Sequence, residues 1–353
     1  MVRSLSFAIA FLCVGGSFSV AAPAYTLTNL GGSGTYGYAI NALGEVTGRS
    51  TYSHQAHAFL YDGAMHDLGT LGNFASGSAI NASGQVVGLS YVAENVIHAF
   101  HYDGAMHDLG TLGGTNAYAY GINDSGVIVG LSNFAPQNPA THAYRYDGTM
   151  HDLGTLGGTN SSAMAINNNG WITGSANIAG DLESHAYIYD GVMHDIGVLP
   201  GGKQSQGRAI NSNGLVVGSA EVAENINHAF LYDGVMHDLG TLGGSTSLAL
   251  GINASGQVVG MSDTTGNASL HAFLWDNGQM FDLNDLIPPT PGVRLIDATG
   301  INDAGQIVVH GSYNFFDATF LLTPVPEPAT ILLAAFGSSV LLASRCRRRL
   351  KIG

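Results

Sequence analysis

The sequence predicts an all-β protein, a seven-bladed β-propeller. Three observations predict it: the period of a sequence repeat, the pattern of strands within each repeat and the number of strands in the seven copies. One phrase reads HAFLYDGAMHDLGTLGN where it begins at His57, and the later copies mostly end in Gly-Gly. It returns at His98, His142, His185, His228 and, degraded, at His271. Successive copies are 41 to 44 residues apart. This period is typical of repeat proteins in which each unit buries its apolar face against its neighbours.

A second phrase, I-N-x-x-G-x-h-x-G with h apolar, supplies the rest of each unit. Its Ile-Asn pairs begin at Ile40, Ile80, Ile122, Ile166, Ile210, Ile252 and Ile301. Asn can bond its own downstream backbone and Gly tolerates positive φ, so this phrase predicts a hairpin turn. The Asp-Gly of the first phrase predicts a second hairpin. Two hairpins give four short strands per repeat, which matches one propeller blade.

The strand count favours a closed ring. The seventh copy has a third strand at 318–322, but fourth strands of the Asp-Leu-Gly type follow only the first six copies. The missing strand is found at the front, where residues 25–32 (YTLTNLGG) match HDLGTLGG. We therefore expect the N-terminal strand to complete the last blade. The alternative is a β-solenoid or β-prism repeat array, which would need polar end caps instead.

The first 24 residues have the pattern of a secretory signal peptide. Arg3 is followed by the apolar run 5–14 and then by Ala22-Pro23-Ala24, an A-x-A cleavage site. We expect signal peptidase to cut after Ala24. The predicted organisation is therefore a signal peptide at 1–24, the repeat body at 25–324 and a C-terminal segment at 325–353.

The C-terminal segment predicts a membrane-sorting tail. Pro326-Glu327-Pro328 precedes the apolar stretch 329–344, which is marginally long enough for one transmembrane helix. The basic cluster that follows would stay cytoplasmic and hold the body outside. Its arginines are Arg345, Arg347, Arg348 and Arg349.

This order of elements resembles the PEP-CTERM sorting signal of Gram-negative bacteria. The resemblance covers the tail alone. It implies cleavage at the Pro-Glu-Pro by an exosortase and export to the cell surface or an extracellular matrix, after transient anchoring in the inner membrane.

The repeats resemble the bacterial extracellular HAF-repeat family, named for the His-Ala-Phe that begins at His57, His98 and His228; Tyr replaces Phe after His142 and His185. The resemblance covers roughly 300 residues, nearly all of the body. It implies an extracytoplasmic repeat protein and brings no activity, substrate or catalytic residue with it.

The charge balance excludes a nucleic-acid partner. Between residues 25 and 324 there are five basic and 24 acidic residues, a net charge of −19. Such a body cannot neutralise phosphates. The two cysteines, Cys13 and Cys346, both lie in the terminal segments, so the body can form neither a disulfide nor a thiolate metal site.

Eleven of the fourteen histidines recur at two repeat positions, those of His57 and His66. Histidine beside aspartate suggests metal or acid–base chemistry, but the same placement in successive blades favours a structural role. We expect each to bond a neighbouring Asp or backbone group, with His66 opposite Phe59 across the second hairpin. No catalytic residue and no metal ligand is predicted.

Function is better sought where the repeats differ, in the segments of eight to eleven residues between the second and third strands of each blade. Variation on one face of a rigid scaffold is how binding surfaces are often made, although such segments can also be merely tolerant loops. Aromatic residues beside Asn, Asp and Glu suit a sugar, or a contact assisted by Ca²⁺. The candidates are Tyr52, Tyr91, Glu94, Asn95, Phe134, Asp181, Glu183, Glu221, Glu224 and Asp263.

The leading interpretation is a non-enzymatic surface or matrix protein, structural or ligand-binding, with an exopolysaccharide or another envelope glycan as its partner and no cofactor beyond the Ca²⁺ considered above. The alternative is a polysaccharide lyase or hydrolase with its site at the axial mouth of the propeller. It would need acid and base groups that depart from the repeat. Those available are His54, His101, Asp181, Glu183 and His310.

Overall fold

The computed structural model describes residues 25–326, apart from positions 33, 53, 136 and 137. The predicted signal peptide and nearly all of the predicted tail, including its apolar stretch, lie outside these residues. Within the described part, no helix is long and apolar enough to cross a membrane.

The described residues form seven four-stranded antiparallel sheets, which confirms the propeller. Blade 1 contains β2 (Tyr36–Ile40), β3 (Val46–Tyr52), β4 (Gln55–Tyr61) and β5 (Met65–Gly69). Blade 2 contains β6 (Ala75–Ile80), β7 (Val86–Ala93), β8 (Val96–Tyr102) and β9 (Met106–Asp108). Blade 3 contains β10 (Ala117–Ile122), β11 (Ile128–Ala135), β12 (Asn138–Tyr146) and β13 (Met150–Asp152).

Blade 4 contains β14 (Gly157–Ile166), β15 (Ile172–Ile178), β16 (Ser184–Tyr189) and β17 (Met193–Asp195). Blade 5 contains β18 (Ser205–Ile210), β19 (Val216–Ala223), β20 (Ile226–Tyr232) and β21 (Met236–Asp238). Blade 6 contains β22 (Gly243–Ile252), β23 (Val258–Thr264), β24 (Leu270–Asp276) and β25 (Gln279–Asp282), with short 3₁₀ turns at Thr265–Asn267 and Leu283–Asp285.

Blade 7 is completed by the N-terminal strand, as predicted. It contains β26 (Val293–Ile301), β27 (Ile307–Tyr313), β28 (Phe316–Pro324) and β1 (Tyr25–Gly31). β1 pairs antiparallel with β28 over its length, from Tyr25 opposite Pro324 onward. The innermost strands contact one another in a circle that includes β2 against β26. The ring is therefore closed, and the open repeat array is wrong.

Seven buried asparagines, one from each Ile-Asn pair, join neighbouring blades. They are Asn41, Asn81, Asn123, Asn167, Asn211, Asn253 and Asn302. Each Nδ2 donates to the backbone carbonyl of the asparagine in the next blade at 2.9–3.3 Å, and Asn302 donates to Asn41 to complete the circle. In blade 5 the Oδ1 of Asn211 also accepts from the N–H groups of Asn213 and Leu215, both at 3.0 Å. One side chain thus fixes a turn and a blade contact together.

The interfaces between blades are apolar, and the third strand of each blade contributes one fully buried aromatic ring. These rings belong to Phe59, Phe100, Tyr144, Tyr187, Phe230, Phe273 and Phe320. At the interface of blades 1 and 2, for example, Phe100 packs with Ala58 and Ile80. Burying such rings is the main stabilising contribution at each interface.

The two tyrosines in this set differ in their hydroxyls, and this gives a matched prediction. Tyr187 Oη donates to the carbonyl of Ser162 at 3.1 Å, whereas Tyr144 Oη is buried without a partner in the described structure. Because an unsatisfied buried hydroxyl is costly, Tyr144→Phe should stabilise the protein by about 1 kcal/mol. Tyr187→Phe should destabilise it by about 1 kcal/mol, since a hydrogen bond is lost. Urea unfolding of both variants checks this, and equal effects of the two would contradict it.

Two details differ from the sequence-based expectations. Three residues, rather than two, separate Tyr61 from its partner Met65, so His66 faces Leu60 and Phe59 faces Asp67. The predicted pairing of His66 with Phe59 is wrong for this reason. The variable segments are also mostly strand: β7 runs to Ala93, and only two residues precede β8.

Candidate functional site

The repeated histidines form a peripheral network of ion pairs rather than a single site. The Nδ1 of each histidine in the His57 series lies 2.6–2.9 Å from an Asp of the adjacent outer strand or its end, as His57 does from Asp67. The Nε2 of each histidine in the His66 series lies 2.8–3.0 Å from the Asp of its own turn. The predicted bonds to neighbouring aspartates are confirmed.

The ion pairs of the His66 series lower the pKa of the aspartates in the turns. The hydrogen bond from His66 lowers the pKa of Asp62, and the pKa values of Asp103, Asp190 and Asp233 are lowered in the same way. The pairs are exposed or partly buried and lie on separate blades, so they stabilise hairpins and do not converge on a substrate.

A β-bulge in every innermost strand directs one side chain of each blade toward the propeller axis. The pairing register shifts around the residue two places before the Ile-Asn isoleucine in all seven blades. Bulges of this kind commonly re-aim a side chain. The seven residues are Tyr38, Ser78, Tyr120, Met164, Arg208, Leu250 and Thr299.

All seven bulged residues line a single cavity of about 970 Å³, which we call the channel cavity. It extends outward along blades 1 and 2, where its lining includes Arg49, Phe74, Tyr91, Glu94 and Asn95. The hairpin between β7 and β8 lies at the end of the blades opposite the asparagine turns. The cavity therefore reaches the face that carries the variable segments.

Aromatic rings dominate the outer part of the channel cavity. Phe74 and Tyr91 meet edge to face with ring centroids 5.5 Å apart. Tyr118 and Tyr120 are stacked at 6.2 Å with an interplanar angle of 11°. Burial, with a smaller contribution from Tyr118, raises the pKa of Tyr120 to about 12, so its hydroxyl stays neutral. Such surfaces offer flat apolar faces beside polar groups.

Two arginines contribute positive charge to the lining. The Arg49 guanidinium lies over the ring of Tyr36 at 4.5 Å and 5.9 Å from the centroid of Phe74. Arg208 is half-buried, and its Nε is buried without a hydrogen-bond partner in the described structure. Desolvation lowers the pKa of Arg208, an effect that Tyr120 partly offsets.

The structure brings three of the ten candidate residues to the channel cavity, namely Tyr91, Glu94 and Asn95. Two other candidates pack on repeat histidines, Tyr52 on His57 and Phe134 on His142. A binding role for any of the ten stays a prediction.

Three of the remaining candidates make bonds within their own blades. Asp181 accepts from Thr159 N–H, Glu221 from Lys203 N–H and Asp263 from Thr246 Oγ1. Glu183 and Glu224 lie in the connections between the second and third strands of blades 4 and 5.

The seven bulged residues, Arg49 and Phe74 are not among the site residues that the sequence predicts. A signal for the bulged residues was present. Counting back two places from each invariant Ile-Asn isoleucine gives six different residue types in seven copies. That position varies as much as the segments between second and third strands, but it lies inside a strand, where sequence alone predicts scaffold.

The acid and base groups that depart from the repeat are dispersed. His310 pairs with Asp297 at 3.1 Å and packs on Tyr36, while His101 packs on His107. None of the five off-repeat groups lines the channel cavity, where Glu94 is the one carboxylate among the described residues. In the described part of the chain, no three His, Cys, Asp or Glu side chains come together in a way that could hold a metal ion.

More than half of the chain matches a known protein family. The family described as "Protein of unknown function (DUF3466)" matches residues 114–319, more than half of the sequence. The chain belongs to this family. In this DUF3466 protein a PEP-CTERM protein-sorting motif also matches residues 324–349, which confirms the predicted sorting signal. The motif indicates an exported protein, sorted to the cell surface and processed by an exosortase. The HAF-repeat resemblance stays a prediction.

Several solved structures are similar to this DUF3466 protein at low identity. The propeller domain of the Trilobed protease from Pyrococcus furiosus is 16% identical over 56% of this chain and 63% of its own, with a TM-score of 0.40. A puromycin-hydrolyzing peptidase of Mycobacterium tuberculosis is 14% identical over 76% and 48%, with a TM-score of 0.46.

The Aleuria aurantia lectin in complex with Fucα1-6GlcNAc is 14% identical over 71% of this chain and 96% of the lectin, with a TM-score of 0.40. The match spans less than two thirds of either peptidase structure. These likenesses say nothing about activity. No curated protein sequence matches the chain.

Proposed function

We propose that this exported propeller is a non-enzymatic component of the cell surface or extracellular matrix that binds a carbohydrate in the channel cavity. The observation that carries the proposal is the set of seven bulged residues. They differ from blade to blade on a scaffold whose turns barely vary, yet they all line one cavity. Sequence variation along the lining of one cavity is typical of a binding site on a rigid scaffold.

The chemistry of the lining suits a sugar. Tyr91, Phe74 and Tyr118 offer flat apolar faces, while Ser78 and Asn95 supply hydroxyl and amide groups for hydrogen bonds. A volume of about 970 Å³ lies at the upper end of ordinary small-ligand pockets, so the cavity has room for an oligosaccharide. An exopolysaccharide or another envelope glycan is the ligand class we propose.

The polysaccharide lyase or hydrolase has less support. Glycoside hydrolysis ordinarily uses two carboxyl groups, about 5 to 10 Å apart, on either side of the scissile bond. Among the described residues that line the channel cavity, Glu94 has no carboxylate partner and no histidine is present. The binding role therefore ranks first.

The two terminal segments direct the proposed export and processing of the chain. Signal peptidase removes residues 1–24 in a Gram-negative host. The tail anchors the chain briefly in the inner membrane, and the exosortase then cuts at the Pro-Glu-Pro that begins at Pro326.

A pair of aromatic substitutions tests the proposed function. Tyr91 and Phe134 both lie on second strands of their blades, but Tyr91 lines the channel cavity and Phe134 packs on His142. On a glycan array, Tyr91→Ala should weaken binding of the full-length chain about tenfold, because one stacking face is lost. Phe134→Ala should leave it unchanged. Equal losses in both variants, or no glycan bound by the unmodified chain, would contradict the proposal.

A further inference from the structure

We infer that the ligand of the channel cavity carries an acid group, which Arg208 and Arg49 bind; the inference rests on the proposed carbohydrate-binding function. The starting point is the scarcity of positive charge. The body between residues 25 and 324 contains five basic residues against 24 acidic ones. Two of these five line the same cavity.

The other three basic residues are used or exposed elsewhere. Arg145 forms an ion pair with Asp147 on the outer surface, and Arg294 donates to the carbonyl of Leu270 at 3.1 Å. Lys203 is exposed in the connection between β17 and β18. The described structure therefore places its uncommitted guanidinium groups in the channel cavity.

Arg208 is held in a position that an isolated cation does not favour. It lies on the bulge of β18, half-buried, with its Nε shielded from solvent and unpaired. No carboxylate in the described part lies within ion-pair distance of it. Leu250 and Met164 occupy the equivalent position in blades 6 and 4, so the scaffold accepts an apolar side chain there. A partly buried charge without an acidic partner, at a position where other blades carry apolar residues, is typical of a binding site.

Arg49 is oriented by aromatic rings rather than by an acid. Its guanidinium lies over Tyr36, whose hydroxyl donates to Asp317 at 2.6 Å. This cation–π contact fixes the plane of the guanidinium without occupying its N–H groups, none of which has a hydrogen-bond partner in the described structure. Those N–H groups remain available to a ligand.

The lining has a net positive charge although the body is strongly acidic. The charged residues of the described lining are Arg49, Arg208 and Glu94, and the carboxylate of Glu94 is exposed on the hairpin at the mouth. Asp297 and Asp317 lie nearby but are engaged by His310 and Tyr36. An acid group is therefore favoured beside the arginines, while the region near Glu94 suits neutral hydroxyls.

The chemistry of arginine indicates the type of acid. A guanidinium donates two parallel N–H bonds to a planar carboxylate, and it binds sulfate and phosphate oxygens by the same donors. Combined with the aromatic lining, this indicates an acidic sugar. Uronic acid chains and sulfated or phosphorylated glycans share this chemistry, and the binding assay can separate them.

The test is a titration of the full-length chain with oligoglucuronate and with the same oligosaccharide after its carboxyl groups have been reduced to alcohols, alongside sulfated and phosphorylated oligosaccharides. We expect at least one acidic probe to bind 30-fold or more tighter than the neutral one. Arg208→Gln should remove most of this preference, and Arg49→Gln should reduce it. Arg145→Gln, which changes an arginine outside the cavity, should not affect it.

The outcomes of this experiment distinguish the acid-group inference from the carbohydrate-binding function on which it rests. If acidic and neutral probes bind equally and Arg208→Gln changes neither, the acid-group inference is wrong and the carbohydrate site stands. If no probe and no array glycan binds, the proposed function fails as well. Arg208→Met tests whether a loss of binding comes from misfolding. Because an unpaired, partly buried charge is removed, this variant without ligand should melt at a higher temperature than the unmodified chain. It should also lose the preference for acidic probes. A lower melting temperature would mean that Arg208 serves the fold, and would overturn the inference.

Discussion

Replacing Gly130 with alanine should destabilise the propeller by about 4 kcal/mol or more, an exceptional cost for one methyl group. A Cβ at this position would lie 1.8 Å from the carbonyl oxygen of Tyr118 and 2.9 Å from the ring of Tyr144. The oxygen belongs to the adjacent innermost strand, beside its bulge, so relief requires the two strands to move apart. Urea unfolding followed by the fluorescence of Trp171 and Trp275 measures the effect.

The same close approach occurs in the first six blades, which explains the last glycine of the second sequence phrase. Gly48, Gly88, Gly174, Gly218 and Gly260 would each place a Cβ 1.9–2.0 Å from the corresponding carbonyl oxygen. In blade 7 the equivalent residue is Val309, and an additional bulge lies next to it, between Leu295 and Asp297.

Gly32 is the matched control for the Gly130 substitution. A Cβ there would meet nothing within 4 Å, and its φ is not in the left-handed region. Gly32→Ala should change the free energy of unfolding by no more than about 0.5 kcal/mol. A Gly130→Ala variant as stable as Gly32→Ala would show that the strands do not approach as described.

Replacing Asn211 with alanine should cost about 3 kcal/mol, because three hydrogen bonds of this buried side chain are lost at once at about 1 kcal/mol each. These are the bond from its Nδ2 to the carbonyl of Asn253 and the two accepted by its Oδ1. The exposed neighbour Ser212 makes no described side-chain bond, so Ser212→Ala should be nearly neutral. Comparable losses in the two variants would contradict the role of the asparagine ring.

Asn211→Asp gives this prediction a pH dependence. The new carboxyl keeps the accepting oxygen, but when ionised it would face the carbonyl of Asn253 with an acceptor instead of a donor. Burial beside that carbonyl should raise its folded pKa above the unfolded value of about 3.9. The deficit relative to the unmodified chain should therefore be largest at neutral pH and shrink as the pH falls through the folded pKa, where a protonated carboxyl can donate. A deficit that does not change with pH would contradict this.

Much of the fold could be predicted from the sequence because the same residue types recur at the same positions of each repeat. Asn211 and its six equivalents mark turns, and YTLTNLGG at the front supplies the strand missing from blade 7. The hairpin register was missed by one residue, because Asp62-Gly63 alone does not show that Ala64 belongs to the loop. The hydrogen bonds of the asparagine ring could not be predicted, since they join residues 40 to 49 positions apart, or 261 across the closure.

The site was predicted less well than the fold. Variation along the sequence led to the segments between second and third strands, and these supplied Tyr91, Glu94 and Asn95. Arg208 and Tyr120 lie inside strands whose alternation predicts scaffold. Only the bulge, which shifts the pairing between Gly207 and Ala209, turns this position toward the axis. A bulge depends on the packing of seven strands around a centre, and no single copy of the repeat shows it.

We propose that side chains at the axis, rather than the repeated histidines or the outer loops, hold the ligand. The most direct measurement is the ¹H–¹⁵N NMR signal of the Arg208 Nε group, assigned with Arg208→Lys, during titration with the tightest-binding acidic oligosaccharide. We expect a saturable shift of this signal, while the signals of Arg145 and Arg294 stay unchanged. Saturable binding that leaves the Arg208 signal in place would contradict it.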